Sequence, residues 1–447
     1  MPTFLRAFIR LVLAIWFRKV EVVDAAGVPI VGPRIIIANH ENGLIDPLLI
    51  AGYLPVAPRF LAKSTLWKNP LLAILLALGR VIPVHRRQDA ADGANPAQNE
   101  HMFRTAGQVL AECGTIALFP EGQSHSEPQL QPLKTGAARL ALAAPANVRI
   151  VPVGIVFEDK QRFRTRALLV VGEALDTDAE RMTLARDAAD AVRALTERMN
   201  GALRQVTINA DTWTDRRLLE RAAEIVSPES DSLEQRHLRM RELLDGYHWL
   251  AAERPGHVPA VRAAVAQYDN TLDTLEVHAS ESDNDIGLAA IGRWVVLLFG
   301  AVLLRAPVAL VGILLNFIPY RAVAWLASHE SKLPDEPASW KLLAALVIYP
   351  SFWSLLAVAA GLWVGGLVAC GLLVVAPLSG YVAIRWLERS ATLGEHARSF
   401  LLWPWRRRRL EELRKARATV ADALTRLEDE WRRETRVRRE RPDSRPV

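Results

Sequence analysis

The sequence predicts an α/β domain with a largely parallel sheet flanked by helices, followed by a helical segment and a C-terminal helical membrane region. Three observations predict this. Between residues 20 and 175, short apolar runs (34–38, 81–84, 115–119, 149–157 and 167–171) alternate with helical patterns such as Trp67–Leu78 and Glu100–Glu112. Runs that are apolar throughout belong to strands covered on both faces, as in a parallel sheet. From 176 to 285 the pattern is polar and helical, with Ala188, Val192, Leu195, Met199 and Leu203 recurring at helix spacing. Further on, Leu342 to Ile384 runs without one charged residue, about twice the length that a single crossing needs.

Composition bounds the class. At 447 residues, 51% hydrophobic and 23% charged, the chain has material for two or three domains, and its apolar and charged residues are segregated along the sequence. The net charge of +6 suits nucleic acid or an anionic membrane surface. The long apolar spans, and a sequence without a nucleic-acid motif, favour the lipid bilayer as partner and no nucleic acid. Cys113 and Cys370 are far apart and outside any ligand-like spacing, so neither a disulfide framework nor a metal site is expected, and a reducing compartment fits. Cys113 reads as a packing residue.

Five segments follow in order. Residues 1–19 mix Arg6, Arg10, Arg18 and Lys19 with Phe4, Leu5, Phe8, Ile9 and the run Leu11 to Phe17. They read as a basic amphipathic helix lying in the membrane interface, with a signal peptide as the alternative, although no small-residue cleavage site follows. Residues 20–175 form the α/β domain, with Gly79 closing its first long helix, and 176–285 a helical linking segment. The polar stretches 227–232 and 280–285 read as loops. Residues 286–390 hold membrane-embedded hairpins: 342–384 turns near Gly361, Gly365 or Gly366, and Trp294 to Tyr320 is interrupted only by Arg305. Residues 391–447 form a basic tail in which Leu410, Leu413, Val420, Leu424, Leu427 and Trp431 make a seam. That seam suits self-association through 410–431 or an anionic membrane surface, and Arg417 interrupts it.

The chemistry concentrates where strands empty into loops. Arg34-Ile35-Ile36-Ile37-Ala38 reads as a strand, and the loop after it carries Asn39-His40-Glu41-Asn42-Gly43-Leu44-Ile45-Asp46-Pro47. An imidazole close to a carboxylate is a general base with its orienting partner, because the carboxylate selects the tautomer and stabilises the imidazolium. A second strand delivers Phe119-Pro120-Glu121-Gly122-Gln123-Ser124-His125, followed by Leu133-Lys134-Thr135-Gly136.

Together these two motifs resemble the glycerol-phosphate acyltransferase superfamily, with its histidine and aspartate block and its FPEG block. Two further blocks stand in the expected order, Gly79-Arg80-Val81-Ile82-Pro83-Val84-His85-Arg86 between them and Ile150-Val151-Pro152-Val153-Gly154 after them. The resemblance covers about residues 30 to 175. Five residues separate His40 from Asp46, where the usual pattern has four. The forms NHxNxxxDP and EGxSH resemble the branch acting on glycerol 3-phosphate or dihydroxyacetone phosphate.

The resemblance implies transfer of a fatty acyl group from acyl-CoA or acyl carrier protein to glycerol 3-phosphate or 1-acylglycerol 3-phosphate in phospholipid biosynthesis. It implies no cofactor beyond the thioester cosubstrate. His40 is the expected base and Asp46 its orienter. Arg80, Arg86, Glu121, Gly122, Ser124, His125 and Lys134 are the expected residues for phosphate and glycerol. Arg162, Arg164 and Arg166 read as surface charge or headgroup contacts. The rivals are an acyltransferase for another lysophospholipid and an inactive membrane scaffold with the same fold. Arginines at 385, 389, 398 and 406–409 place the tail in the cytoplasm. A thioester substrate found in the cytoplasm places the catalytic domain on the same face of the cell's inner membrane. The stretch 294–320 must then cross twice or not at all, with Arg305-Ala306-Pro307 as the tip or break of a hairpin.

Overall fold

The computed structural model describes residues 2–86, 89, 99–145, 147–226, 232–275, 303–331 and 336–440, with 296 and 300 as isolated positions. It divides into two compact units, Met1–Trp213 with Ser331–Ser339, and Thr214–Glu330 with Trp340–Val447. The expected loop at 280–285 and the first part of the apolar block at 294–302 fall outside the described residues, apart from those two isolated positions.

The first unit runs α1 (Thr3–Trp16), β1 (Lys19–Val23), β2 (Arg34–Ala38), α2 (Ile45–Tyr53), β3 (Arg59–Lys63), α3 (Pro70–Leu78), β4 (Ile82–Val84), α4 (Asn99–Ala111), β5 (Thr115–Leu118), α5 (Gly136–Ala143), β6 (Arg149–Phe157), β7 (Arg166–Val171), α6 (Asp178–Leu184) and α7 (Ala188–Val206). The strands make one seven-stranded sheet in the order β1-β7-β6-β2-β5-β3-β4. All neighbours are parallel except β6 and β7. β2 is central, and Ile35, Ile36 and Ile37 are each fully buried, worth about 1.5–3 kcal/mol apiece in removed apolar surface. Two of the seven strands were not expected. β1 follows the first helix almost without a break, and β3 is a short run with a charge at each end, Arg59 and Lys63.

Several further expectations are revised by the structure. The domain does not end at 175: α7, capped by Asp187 accepting from the Ala189 and Asp190 amides, buries Leu195, Met199 and Leu203 and packs on β6. Arg6 and Arg10 of α1 donate to carbonyls at the end of α2, the Arg10 Nε–Gly52 O contact being 2.6 Å, so they close that helix. Phe4, Phe8, Leu11 and Ile15 are the large apolar side chains α1 leaves exposed. Arg164 donates to the Ala14, Ile15 and Phe17 carbonyls and Arg166 pairs with Glu158 at 2.8 Å. Neither is free surface charge. Arg80 rather than Gly79 takes the left-handed conformation after α3 (φ 52°), and Cys113, with φ 56°, is exposed rather than packed.

The remaining helices, which form the second unit apart from Trp213 and Pro337–Ser339, are α8 (Trp213–Val226), α9 (Leu233–Glu253), α10 (Val258–Leu275), α11 (Ala306–Glu330), α12 (Pro337–Trp363) and α13 (Gly366–Glu440). Ser232 opens α9 with a capping box to Gln235. Three stretches, Ala306–Glu330, Pro337–Trp363 and Gly366–Ala391, are long and apolar enough to cross a membrane, and they mark a membrane protein. The expected hairpin turns at Gly365, whose φ of 130° suits only a glycine. Arg305 lies in the turn just before α11. Asn316 joins the three helices, donating to the Ala376 carbonyl at 3.1 Å and accepting from the Trp353 indole at 3.0 Å, a polar bridge of the kind that holds membrane helices together.

The tail seam is used within the chain. Leu413 and Val420 are buried in a cluster with Ile225, Val265, Tyr268 and Leu272, and Leu424 packs against it. Arg417, the polar interruption of the seam, donates to the Ile225 carbonyl at 2.9 Å at the end of α8. Leu413, Val420 and Leu424 of the seam expected to self-associate thus have partners within the chain.

Candidate active site

Parallel strands place the loops that follow them along one edge of the sheet, and the loops after β2, β5, β4 and β6 gather the motif residues there. His40 leaves the end of β2. Its Nδ1 lies 2.9 Å from Asp46 Oδ2, and the same oxygen accepts the Glu41 and Asn42 amides at 2.8 Å each. The extra residue between His40 and Asp46 is therefore taken up by a tight loop that folds back on the carboxylate. Asp46 stands in the first turn of α2 and is fully buried. Burial pushes its carboxyl pKa up, against the His40 hydrogen bond and the two amides, which favour the charged form.

Phe119 lies flat against the His40 ring, centroids 3.9 Å apart and planes 9° from parallel. With Nδ1 on Asp46 and one face on Phe119, the imidazole has a single orientation. Its Nε2 has no partner among the described residues, and the side chain keeps 14% exposure.

Glu121 does not point at a substrate phosphate. It is buried at 2% exposure. Oε1 accepts the His40 amide at 2.9 Å, while Oε2 accepts the Gln131 amide at 2.8 Å and meets His125 Nε2. The His125 amide returns to the His40 carbonyl at 3.0 Å. Burial alone lowers the His125 pKa, but the Glu121 hydrogen bond and the charges of Glu121 and Glu41 outweigh it and hold it above the usual histidine value. Gly122 has φ 79°, and this left-handed turn carries the chain past Lys134, whose Cγ lies 3.4 Å from where a Gly122 Cβ would stand. Ser124 is half-buried in the same turn.

Arg86 follows β4 and donates to the Gly122 carbonyl, and its other nitrogens clamp Asp89 at 2.6 and 2.8 Å. Arg80 is not part of this group. It precedes β4 and is exposed at the other edge of the sheet, roughly 15–20 Å along the strand direction from Arg86. The structure thus brings together His40, Asp46, Arg86, Glu121, Gly122, Ser124, His125 and Lys134, and leaves Arg80 apart. Among the described residues no group of three or more His, Cys, Asp or Glu could hold a metal ion.

The two asparagines of the first motif carry no assigned role at the level of sequence, and the structure supplies one for each. Asn39 bonds both backbone groups of Ile155, at 2.7 and 3.0 Å, and fixes the end of β2 to β6. Asn42, 1% exposed, reaches the Lys160 carbonyl at 3.4 Å. Ser339, from the segment 331–339 of this unit, accepts the Leu44 amide at 3.0 Å.

Comparison with known proteins finds similarity to acyltransferases. The Acyltransferase family matches residues 5–156. Two proteins of Saccharomyces cerevisiae, glycerol-3-phosphate O-acyltransferase 2 and 1, are 27% and 25% identical over 281 and 283 residues, covering 58% and 57% of this chain. Each match spans 37% of the yeast protein, so the chain covers little more than a third of these relatives. An uncharacterised acyltransferase of Schizosaccharomyces pombe is 28% identical over 135 residues, 29% of this chain and 20% of that protein. The crystal structure of the 1-acyl-sn-glycerophosphate acyltransferase from Thermotoga maritima aligns with a TM-score of 0.34 at 22% identity, over 45% of this chain and 76% of that one. Residues 5–156 of the first unit thus match the Acyltransferase family, and the chain is similar to the two yeast glycerol-3-phosphate O-acyltransferases.

Proposed function

We propose that this domain transfers a fatty acyl group from acyl-CoA or acyl carrier protein to a hydroxyl of glycerol 3-phosphate, and to 1-acylglycerol 3-phosphate less well, on the cytoplasmic face of the cell membrane. The observation that carries the reading is the 2.9 Å contact between His40 and Asp46 with Nε2 left open at the loop edge of the sheet. A thioester is already activated, so transfer to an alcohol needs a base for the hydroxyl rather than an enzyme nucleophile. His40 Nε2 takes the hydroxyl proton as the oxygen attacks the thioester carbonyl. Asp46 keeps the Nδ1 proton in place and stabilises the imidazolium. The tetrahedral intermediate collapses, the carbon–sulfur bond breaks, and the proton passes from Nε2 to the departing thiolate.

Arg86 is the basic residue best placed for the acceptor's phosphate. Its guanidinium is held beside Gly122 by Asp89, so a phosphate at this site shares or displaces that carboxylate. Glu121 orients the loops instead of binding the acceptor. The test is turnover by the protein purified in detergent, with acyl-CoA or acyl carrier protein against both acceptors. Thiol release with glycerol 3-phosphate exceeding that with the acylated acceptor is expected. Turnover only with another lysophospholipid would favour the first rival, and no turnover with either acceptor, with other lysophospholipids or with either carrier would favour the inactive scaffold.

A further inference from the structure

The loop between β6 and β7 contributes a residue to the active-site edge that lies outside every motif. Lys160 stands in it, and its Nζ lies 2.7 Å from Ser126 Oγ, 3.3 Å from the His125 carbonyl and 3.4 Å from the Glu41 carbonyl. An ammonium has three hydrogens to donate, and these three oxygens are its acceptors. Two belong to the loop that carries Glu121 and His125, and one to the loop between His40 and Asp46. The Lys160 carbonyl in turn accepts from Asn42, so the residue grips the His40 loop through main chain and side chain alike.

The acceptors are all neutral. No carboxylate lies within salt-bridge distance of Lys160 among the described residues, whereas Arg86 is clamped by Asp89. A partly buried cation bound only to neutral oxygens is held by geometry rather than by charge pairing, and it strengthens each bond it makes. Its own loop is stiffened to receive it. Asp159 Oδ1 accepts the Gln161 and Arg162 amides at 2.9 and 3.2 Å, and Thr165 Oγ1 donates to the Asp159 carbonyl at 2.9 Å.

We infer that Lys160 is a positioning residue of the acyltransferase site, fastening the His40–Asp46 loop to the Glu121–His125 loop so that the base faces the substrates in fixed register. The inference rests on the acyl-transfer reading for its kinetic consequence, and on the contacts alone for its structural one. His40 and Glu121 already share one bond, from the His40 amide to Oε1. The His125 amide adds a second, to the His40 carbonyl; both converge on His40, and Lys160 adds a separate fastening at Glu41, the residue after it. Misplacement of a reacting group by about 1 Å costs on the order of 10²-fold in rate.

The experiment compares the wild type with Lys160→Met and Lys160→Cys, all in a background where Cys113 and Cys370 are replaced by serine. Two readouts are taken: steady-state kinetics with glycerol 3-phosphate and acyl-CoA, and amide hydrogen exchange over 40–46 and 122–131. For Lys160→Met, kcat is expected to fall about 30–100-fold while the KM for glycerol 3-phosphate changes by less than about threefold. Exchange over both loops is expected to quicken, with that of α7 unchanged. Treating Lys160→Cys with 2-bromoethylamine rebuilds an ammonium at nearly the same length and should restore both readouts.

A raised KM with unchanged kcat and unchanged loop exchange would overturn the inference and make Lys160 a ligand of the acceptor phosphate. Unchanged kinetics and exchange would overturn it outright. If Lys160→Met fails to fold, the aminoethylated cysteine variant, compared with its untreated form, makes the same distinction. If the wild type transfers no acyl group, the functional reading fails, and loop exchange alone decides whether Lys160 fastens the loops.

Discussion

The ring of Phe119 lies 3.9 Å from the ring of His40, centroid to centroid, with 9° between the planes. The two residues come from different motifs, one after β5 and one after β2, so the stack also ties the motifs together. Parallel stacking on the face of a phenyl ring limits rotation about the second side-chain torsion, and the ring's negative face favours an imidazolium. Phe119→Leu keeps the apolar volume and removes both effects. It is expected to lower kcat about tenfold with little change in KM, while Phe119→Tyr stays close to wild type. Equal loss in the two variants would show that the stack contributes nothing.

The Asp46 carboxylate is the second restraint on His40, and its removal separates orientation from chemistry. His40→Ala should cost about 10²–10⁴-fold in turnover. Asp46→Asn should cost less, because an amide can still receive the Glu41 and Asn42 amides while presenting the wrong partner to Nδ1. Glu41→Gln should cost least, since it is Asp46 that meets the imidazole. Initial rates at saturating substrate rank the three, and a Glu41→Gln variant weaker than Asp46→Asn would mean that the dyad has been assigned to the wrong carboxylate.

Two histidines respond to pH with opposite signs. His125 has its folded pKa raised from 6.5 by Glu121 and Glu41 against its burial. Its stabilising contribution is therefore complete below the unfolded value and disappears as pH rises through the folded one. His125→Gln should destabilise the protein most at pH 5.5, by about 1–2 kcal/mol, and least at pH 8.5. His237 in α9 is 2% exposed, neither ring nitrogen has a hydrogen-bond partner among the described residues, and burial together with Arg241 and Arg216 lowers its pKa to about 4. Here the unfolded chain takes up the proton first, so stability is lost as pH falls from 6.5 towards 4. His237→Leu should remove that loss, and thermal midpoints of the variants across pH 5 to 8.5 check both signs.

What could be read from the sequence depended on the range of the interaction. The run Ile35-Ile36-Ile37 identified its own strand, because three consecutive β-branched side chains suit a strand buried on both faces. The His40 and Asp46 pair was legible because both ends lie in one loop. β3 was not, since Arg59-Phe60-Leu61-Ala62-Lys63 has too little apolar pattern to show that it would be covered by β4 and β5. Arg80 and Arg86 look equivalent in the sequence, as they flank one short strand, and only the direction of β4 puts them at opposite edges. Lys160 carries no local signal at all: its three acceptors lie 34 to 119 residues away. The tail seam showed that its apolar side chains needed partners, and those partners, Ile225, Val265 and Tyr268, lay in a segment whose own pattern read only as a linker.

The packing of that tail also constrains how the chain crosses the membrane. Leu413 and Val420 share a core with Ile225, Val265 and Tyr268, so residues 214–275 and 411–434 lie on one side. Between them stand three helices capable of crossing, 306–330, 337–363 and 366–391. Three crossings would separate the two halves of that core, so an even number of crossings between residues 275 and 411 is expected. Segment 331–339 belongs to the unit that carries the active site, where Ser339 accepts the Leu44 amide. The loop between α11 and α12 is thus expected on the catalytic side, and Arg305, at the other end of α11, on the opposite one. Single cysteines at His257, Ser331, Thr419 and Val364, in a background lacking Cys113 and Cys370, test this with an impermeant thiol reagent on intact cells. Val364, in the turn between α12 and α13, should be labelled and the other three protected. Labelling of Thr419 with His257 protected would break the even count, and labelling of Ser331 would part the loop between α11 and α12 from the catalytic side.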